Sequence, residues 1–297
     1  MTESTAINTV GLIGLGNMGA ALAKRLSATF QVVGFDLDPG RREQAAAHGV
    51  KAVSSAAEVA DSAPAIVLSL PHPAASRATI DLLLERPGIA GATVIETSTV
   101  LPTDAREMGA RCAERGVGYV DAAIQSGVAS VIAGDTQLLI GGPAEAVAAA
   151  APVLEAITHR RHHLGDTGAG MAAKVVNNAV AHDVYVVLSE ALALWRAHGL
   201  ELDTFVEIIG DPEGGLVRPL THRIGERLAD RNFEGGMPTD AARKDSVLAL
   251  EMAQRAGVPL FATQAVHTVY DLALAAGLGR SDYSAVATLW EGWEKRA

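Results

Sequence analysis

Five polar residues recur at helical spacing inside one apolar stretch of this chain. They are Lys174, Asn178, His182, Tyr185 and Ser189, set among Val175, Val176, Val180, Val184, Val186, Val187, Leu188 and Leu192. Residues three and four apart share one face of a helix, so the five draw a narrow polar stripe along a greasy rod. A lysine is costly to bury and usually reaches out to water. Beside a wet or ligand-filled crevice the same amine can take and return a proton. A solvated helix start with satisfied polar groups below it is the plain structural account.

A second group lies near the start. Val10 to Ile13 lead into Gly14-Leu15-Gly16-Asn17-Met18-Gly19, a helix follows through Leu26, and a second apolar run from Val32 to Phe35 ends at Asp36. Strand, glycines, helix, strand and acid in that order suit a dinucleotide. The first glycine permits the tight turn, the second lets backbone approach the pyrophosphate, and the third lets helix pack on strand. The free N–H groups of the helix start meet the anion. Asp36 lies about twenty residues on, where an acid holds the ribose hydroxyls. With Asp38 it repels a 2′-phosphate, which favours NAD; Arg41 and Arg42 follow closely and keep NADP open.

The elements around these groups alternate. GVKAV (49–53), AIVLSLP (65–71), ATVIETST (92–99) and GYVDAA (118–123) read as strands, with helices at 75–85 and 102–116 between them. Near-continuous apolar strands between helices imply a parallel sheet covered on both faces. Ligands bind such sheets at the carboxyl ends of strands, here Leu70-Pro71, Ser98-Thr99 and the segment after Asp121. Pro71 and Thr99 also suit an ordinary turn and cap. Residues 121–142 read as a loop of small residues ending in a strand from Gln137 to Ile140, and Gln125-Ser126-Gly127 offer an amide, a hydroxyl and backbone N–H groups to a carboxylate. A flexible connection is the alternative.

An alanine-rich helix (143–157) leads to a long helix expected over about 170–198 and buried between two bodies of protein. No strand pattern follows residue 164; helices are expected near 201–210, 216–230, 239–256, 259–277 and 283–296. The expected fold is an N-terminal Rossmann-type doubly wound α/β domain (1–164) and a C-terminal all-α domain (165–297), joined by the long interdomain helix. Lys244 sits one turn after Asp240 in the later helices, a spacing that also suits a surface ion pair.

A length of 297 residues suits two domains, and 49% hydrophobic with 20% charged residues is ordinary globular composition. The net charge of −10 argues against nucleic acid and anionic membranes as partners. One cysteine, Cys112, excludes an internal disulfide and any Cys/His zinc pattern, and no metal is expected. No apolar run is long enough to cross a bilayer, and the N-terminus shows no secretory signal. A cytoplasmic protein is expected.

Four segments together resemble the β-hydroxyacid dehydrogenase family, which includes 3-hydroxyisobutyrate dehydrogenase and tartronate semialdehyde reductase. They are GLIGLGNMGAALAKRL, DAAIQSGVASVIAGDTQLLIGG, GDTGAGMAAKVVNN and FEGGMPTDAARKD. The resemblance implies an NAD(P)-dependent oxidoreductase interconverting a small β-hydroxy acid and its semialdehyde or keto form. It makes Lys174 the catalytic lysine, has Asn178 fix it and the substrate, and brings Lys244 to cofactor or substrate. It sets Leu70, Pro71 and Thr99 along the nicotinamide side. Where the family usually reads Asp-Ala-Pro-Val-Ser-Gly-Gly, this chain reads Asp121 to Gly127 with Gln125 and Ser126 in place of serine and glycine. The resemblance and the buried helix at the seam imply a homo-oligomer, at least a dimer. An imine reductase and a catalytically silent NAD-binding module are the rival readings.

Overall fold

The computed structural model describes residues 7–293. Two compact units part after Ala179, inside the long helix rather than ahead of it at residue 164. The first unit alternates β1 (Thr9–Ile13), α1 (Asn17–Leu26), β2 (Gln31–Phe35), α2 (Pro39–Ala46), β3 (Lys51–Ala52), α3 (Ala56–Ser62), β4 (Ala65–Leu68), α4 (Pro73–Leu84), β5 (Thr93–Glu96), α5 (Pro102–Glu114), β6 (Gly118–Ile124), α6 (Val128–Ala133), β7 (Gln137–Gly141), α7 (Ala144–Ile157) and β8 (Arg160–His163), ending in the first turns of α8 (Ala169–Ala197). The strands form one sheet in the order β3-β2-β1-β4-β5-β6-β7-β8. The order reverses direction between β1 and β4, where such sheets open a crevice.

Strand alternation explains the two cores. Val10, Leu12, Val32, Val67 and Val120 point to one face, under α1 and α7; Ile13, Val33, Ile66, Leu68 and Val94 point to the other, under α3, α4 and α5. Gly11 is glycine for packing: a Cβ there would stand 2.5 Å from the Val59 side chain of α3.

Two sequence expectations are corrected here, and one strand is added. The sheet is not wholly parallel, because β7 runs antiparallel to β6, with Asp121 opposite Gly141 and Ile124 opposite Leu138. The loop expected over 121–142 is β6, the short helix α6 and β7; α6 stops at Gly134, whose left-handed backbone (φ 80°) only glycine adopts without strain. Residues 160–163 form the edge strand β8, paired parallel with β7. The four polar side chains of β8 hide it from an apolar-pattern search, and charge is what an exposed sheet edge tolerates.

In the second unit, the rest of α8 is followed by α9 (Leu202–Gly210), a π-helix (Pro219–Leu228), α10 (Thr239–Ala256), α11 (Phe261–Ala275) and a 3₁₀ segment (Tyr283–Trp290). The tail of the last expected helix, 294–296, lies outside the described residues. Glu190 of α8 caps α11, accepting from the N–H groups of Ala262 (2.8 Å) and Thr263 (3.2 Å). Buried Asp282 gathers Arg223 (2.7 Å) and the N–H groups of Met237 and Ser284 (both 3.0 Å). The apolar core of this unit is small: Leu194, Ala253 and Leu260, flanked by Leu250 and Val258.

The expectation that α8 is buried on nearly every side does not hold. Its first turns are, with Met171 fully covered, but Val176 is 64% exposed and Val180, Tyr185, Val186 and Val187 are exposed as well. Within the second unit Leu194 of the same helix is buried, so the exposed apolar residues lie between two covered ends.

Candidate active site

The glycine turn opens a cavity of about 770 Å³, within the range of ~300–1,000 Å³ usual for cofactor sites. Gly14, Gly16, Asn17, Met18, Gly19, Asp36, Leu70 and Pro71 line it, as do Asp38, Arg41, His72 and Thr79. Gly14 has φ 95°, and an added Cβ would run into the carbonyl of Ser69; one on Gly19 would run into the carbonyl of Gly14. Beside Gly16 the nearest atom to an added Cβ is Arg41 Nη1 at 3.6 Å, so the space above its backbone is open. No side chain caps the start of α1, whose N–H groups are free to meet an anion.

Asp36 follows β2 with its carboxylate held from behind. Leu15 N donates to Oδ2 (2.7 Å) and Asp38 N donates to Oδ1 (2.9 Å), which leaves lone pairs on both oxygens for hydroxyl donors. Leu15, expected among the cofactor-binding residues, does not line the cavity: its side chain is 4% exposed and its N–H is taken by Asp36. Arg41 lies 3.6 Å from Asp36 and 3.9 Å from Asp38. Arg42 donates to the Asp36 carbonyl (2.6 Å) and stands over the Phe35 ring. Both arginines are thus engaged by local acceptors.

The opposite wall hangs on buried hydrogen bonds. Leu70 N donates to Ser98 Oγ (2.7 Å), and Ser98 N donates to Glu96 Oε1 (2.9 Å). Glu96 is completely buried, its Oε2 and the nearby Ser76 hydroxyl have no hydrogen-bond partner, and burial pushes its carboxyl up to about 7. Thr99 is exposed at the end of this chain of bonds and does not line the cavity; Ser98 beneath it is what touches the wall. His72 caps α4, its Nδ1 accepting from Ala75 N (3.1 Å), and presents its ring at the cavity rim.

Lys174 is half-buried in the second turn of α8, and burial holds its amine below the ordinary lysine value of 10.5. It makes no ion pair among the described residues. The helix is laid along β6. At its start the Asp121 carboxylate accepts from Gly168 N (2.7 Å) and Met171 N (2.9 Å); two turns on, Gln125 Nε2 donates to Asn177 Oδ1 (2.7 Å). Lys174 stands between these anchors, with half-buried Asn178 a turn beyond it. Ser126 Oγ donates to Thr136 Oγ1 (2.6 Å), and exposed Gly127 opens α6. Lower on the stripe His182, Tyr185 and Ser189 are exposed, and Ser189 bonds back to the Tyr185 carbonyl (2.7 Å).

Lys244 lies on α10 of the second unit, its amine 3.0 Å from Asp245; Asp240, one turn earlier, faces Arg280 instead (3.5 Å). Sequence reasoning passed over Glu96, His72 and Asn177, and took Ser98 and Asp121 only as strand ends. An acid inside an apolar strand is the signal for two of them, since a buried carboxyl must have an assigned partner.

A model described as the NAD binding domain of 6-phosphogluconate dehydrogenase matches residues 9–168, and one described as the NAD-binding of NADP-dependent 3-hydroxyisobutyrate dehydrogenase matches 168–290. The 2-(hydroxymethyl)glutarate dehydrogenase of Eubacterium barkeri is 33% identical, over 95% of this chain and 94% of that one. The NAD-dependent L-serine dehydrogenase of Pseudomonas aeruginosa is also 33% identical, over 95% and 97%. Among solved structures, Mycobacterium tuberculosis 3-hydroxyisobutyrate dehydrogenase with L-serine is 30% identical at a TM-score of 0.66, over 97% and 100% of the two chains. An imine reductase from Pseudomonas sp. has a TM-score of 0.86 at 22% identity, over 95% and 99%, a likeness of fold. With both halves matched and relatives of this identity along nearly its whole length, the chain belongs to the β-hydroxyacid dehydrogenase family of NAD(P)-dependent oxidoreductases.

Proposed function

We propose that the chain catalyses reversible, NAD-dependent oxidation of a small β-hydroxy acid to its semialdehyde or keto form, with Lys174 as general acid and base. The observation that carries this is a half-buried amine with no ion pair among the described residues, held below the ordinary lysine value by burial, on a helix pinned beside the carboxyl end of β6. Bound nicotinamide supplies the hydride acceptor. The protein moves one proton: neutral Lys174 takes it from the substrate hydroxyl as the carbinol C–H bond breaks, and the ammonium returns it in the reverse direction. Asn178, one turn on, holds the substrate oxygen by a neutral hydrogen bond.

Substrates named for the relatives, 2-(hydroxymethyl)glutarate, L-serine and 3-hydroxyisobutyrate, share a hydroxyl on the carbon β to a carboxylate. Here the second N–H of Gln125 Nε2 and the backbone of Ser126 and Gly127 are the donors for that carboxylate. The Ser126 hydroxyl already gives its proton to Thr136. Preference for NAD over NADP rests on Asp36 with both arginines engaged. A homo-oligomer is supported by the small core of the second unit and the exposed apolar residues of α8, and a cytoplasmic setting by the buried free thiol of Cys112; sedimentation tests the former.

Lys174→Ala tests the mechanism. Turnover of 3-hydroxyisobutyrate or L-serine should fall ~10²–10⁴-fold, the usual worth of a general acid–base group, with NADH affinity unchanged. Near-normal turnover removes the mechanism. Activity on imines but on no hydroxy acid would select the imine reductase reading instead.

A further inference from the structure

We propose that Asp121 is a positioning residue: its carboxylate, rooted in the sheet, seats the start of the long helix and so fixes where the amine of Lys174 stands. The proposal rests on the reading of Lys174 given above.

Most helices are capped by a residue at their own start. For α8 that place belongs to the lead at Asp166 and Thr167, yet the capping bonds come from a strand residue 47 positions earlier in the case of Gly168 N, and 50 earlier in the case of Met171 N. A local cap stabilises a helix wherever it lies. A cap from another element also fixes the helix in space, because both carboxylate oxygens are occupied and the strand that bears them cannot shift. Asp121 is completely buried in the middle of β6, hydrogen-bonded to β5 on one side and β7 on the other.

The surroundings leave the carboxylate little freedom. A Cβ added to Gly141 would stand 2.7 Å from Asp121 Oδ1 and 2.9 Å from Ala169 N. A Cβ added to Gly170 would stand 2.9 Å from Asp121 Oδ2 and would strike the Leu139 carbonyl. Glycine on both sides is what lets strand, carboxylate and helix close on one another. Negative charge also suits this end of a long helix. Lys174 follows Met171 by three residues, less than one turn of rigid helix, so displacement at the seat carries to the amine almost undiminished.

Asp121→Asn keeps the shape and sets an amide N–H against one backbone donor. Because a misplacement of ~1 Å can cost ~10²-fold, kcat for 3-hydroxyisobutyrate or L-serine should fall at least ~10-fold while NADH affinity, read by nicotinamide fluorescence, stays within ~2-fold. Normal kcat, or parallel loss of kcat and NADH binding, overturns the proposal; the latter marks a fold support only. Should this variant fail to fold, Gly170→Ala reaches the same carboxylate from the helix side and should show the same split. The native enzyme gives a third measure: amides of Gly168 and Met171 should exchange only at the slow rate of the sheet, and rapid exchange overturns the proposal. Lys174→Ala beside these variants separates the failures. If it is active, the lysine reading falls; if it is inactive and Asp121→Asn is normal, only the seat does.

Discussion

The cradle at the glycine turn and the seat of Lys174 lie in one unit and are built from different materials. The cradle is backbone: missing Cβ atoms, bare N–H groups and one carboxylate with lone pairs to spare. The seat is side chains, with Asp121 and Gln125 reaching from β6 to α8. Binding is therefore vulnerable to added bulk, and turnover to changed chemistry. The two kinds of damage should separate in experiments.

The largest break is Gly19→Ala. Its methyl would meet the Gly14 carbonyl, and overpacking costs about 1–3 kcal/mol, so NADH affinity should fall up to ~100-fold; titration with NADH checks this, and unchanged affinity would mean the turn is only structural.

A second break acts on the wall that Glu96 supports. A carboxyl at about 7 in the native state, against an ordinary 4.5, is favoured in its protonated form. Its stabilisation is complete below 4.5 and is lost as pH rises through about 7. Glu96→Gln, which cannot ionise, should remove that loss. Relative to wild type it should gain roughly 3 kcal/mol between pH 4 and pH 8 in urea denaturation. Parallel curves would refute the assignment.

The comparison sharpens at the two specificity positions. Asp36→Ser should weaken NAD by about tenfold, the worth of hydrogen bonds to a charged group, and narrow the preference over NADP, leaving kcat at saturation nearly intact. Gln125→Ser removes one amide donor among several and also the bond to Asn177, so a few-fold change in KM between L-serine and larger β-hydroxy acids should come with a few-fold fall in kcat. Unchanged KM for every substrate would mean that Gln125 only anchors the helix.

What could be read in advance divides along the same line. The turn at Gly14–Gly19 and the acid at Asp36 lie within one strand-helix-strand unit, so local spacing revealed them. The wall was half legible: Leu70, Pro71 and Ser98 follow from strand ends, but the bond by which Ser98 fixes Leu70 spans 28 residues of sequence. The same distance hid the seat, since Asp121 and Gly168 meet only after β7 has turned back. Lys174 was conspicuous because a charge among valines is costly; the partner of Asn177 was not, for an amide pair leaves no local pattern. Exposure of α8 was misjudged because an apolar sequence shows that a surface needs cover and not which molecule provides it.

Since β7 runs opposite to β6, α8 sets out partway down the sheet and climbs beside β6 between two fixed attachment points. That makes the count of residues from Gly168 to Lys174 a phase setting. Each residue inserted or deleted there would swing the amine by about 100° around the rod, while the later attachment at Asn177 resists the turn. A change in length there should therefore misplace the amine even where every side chain is kept.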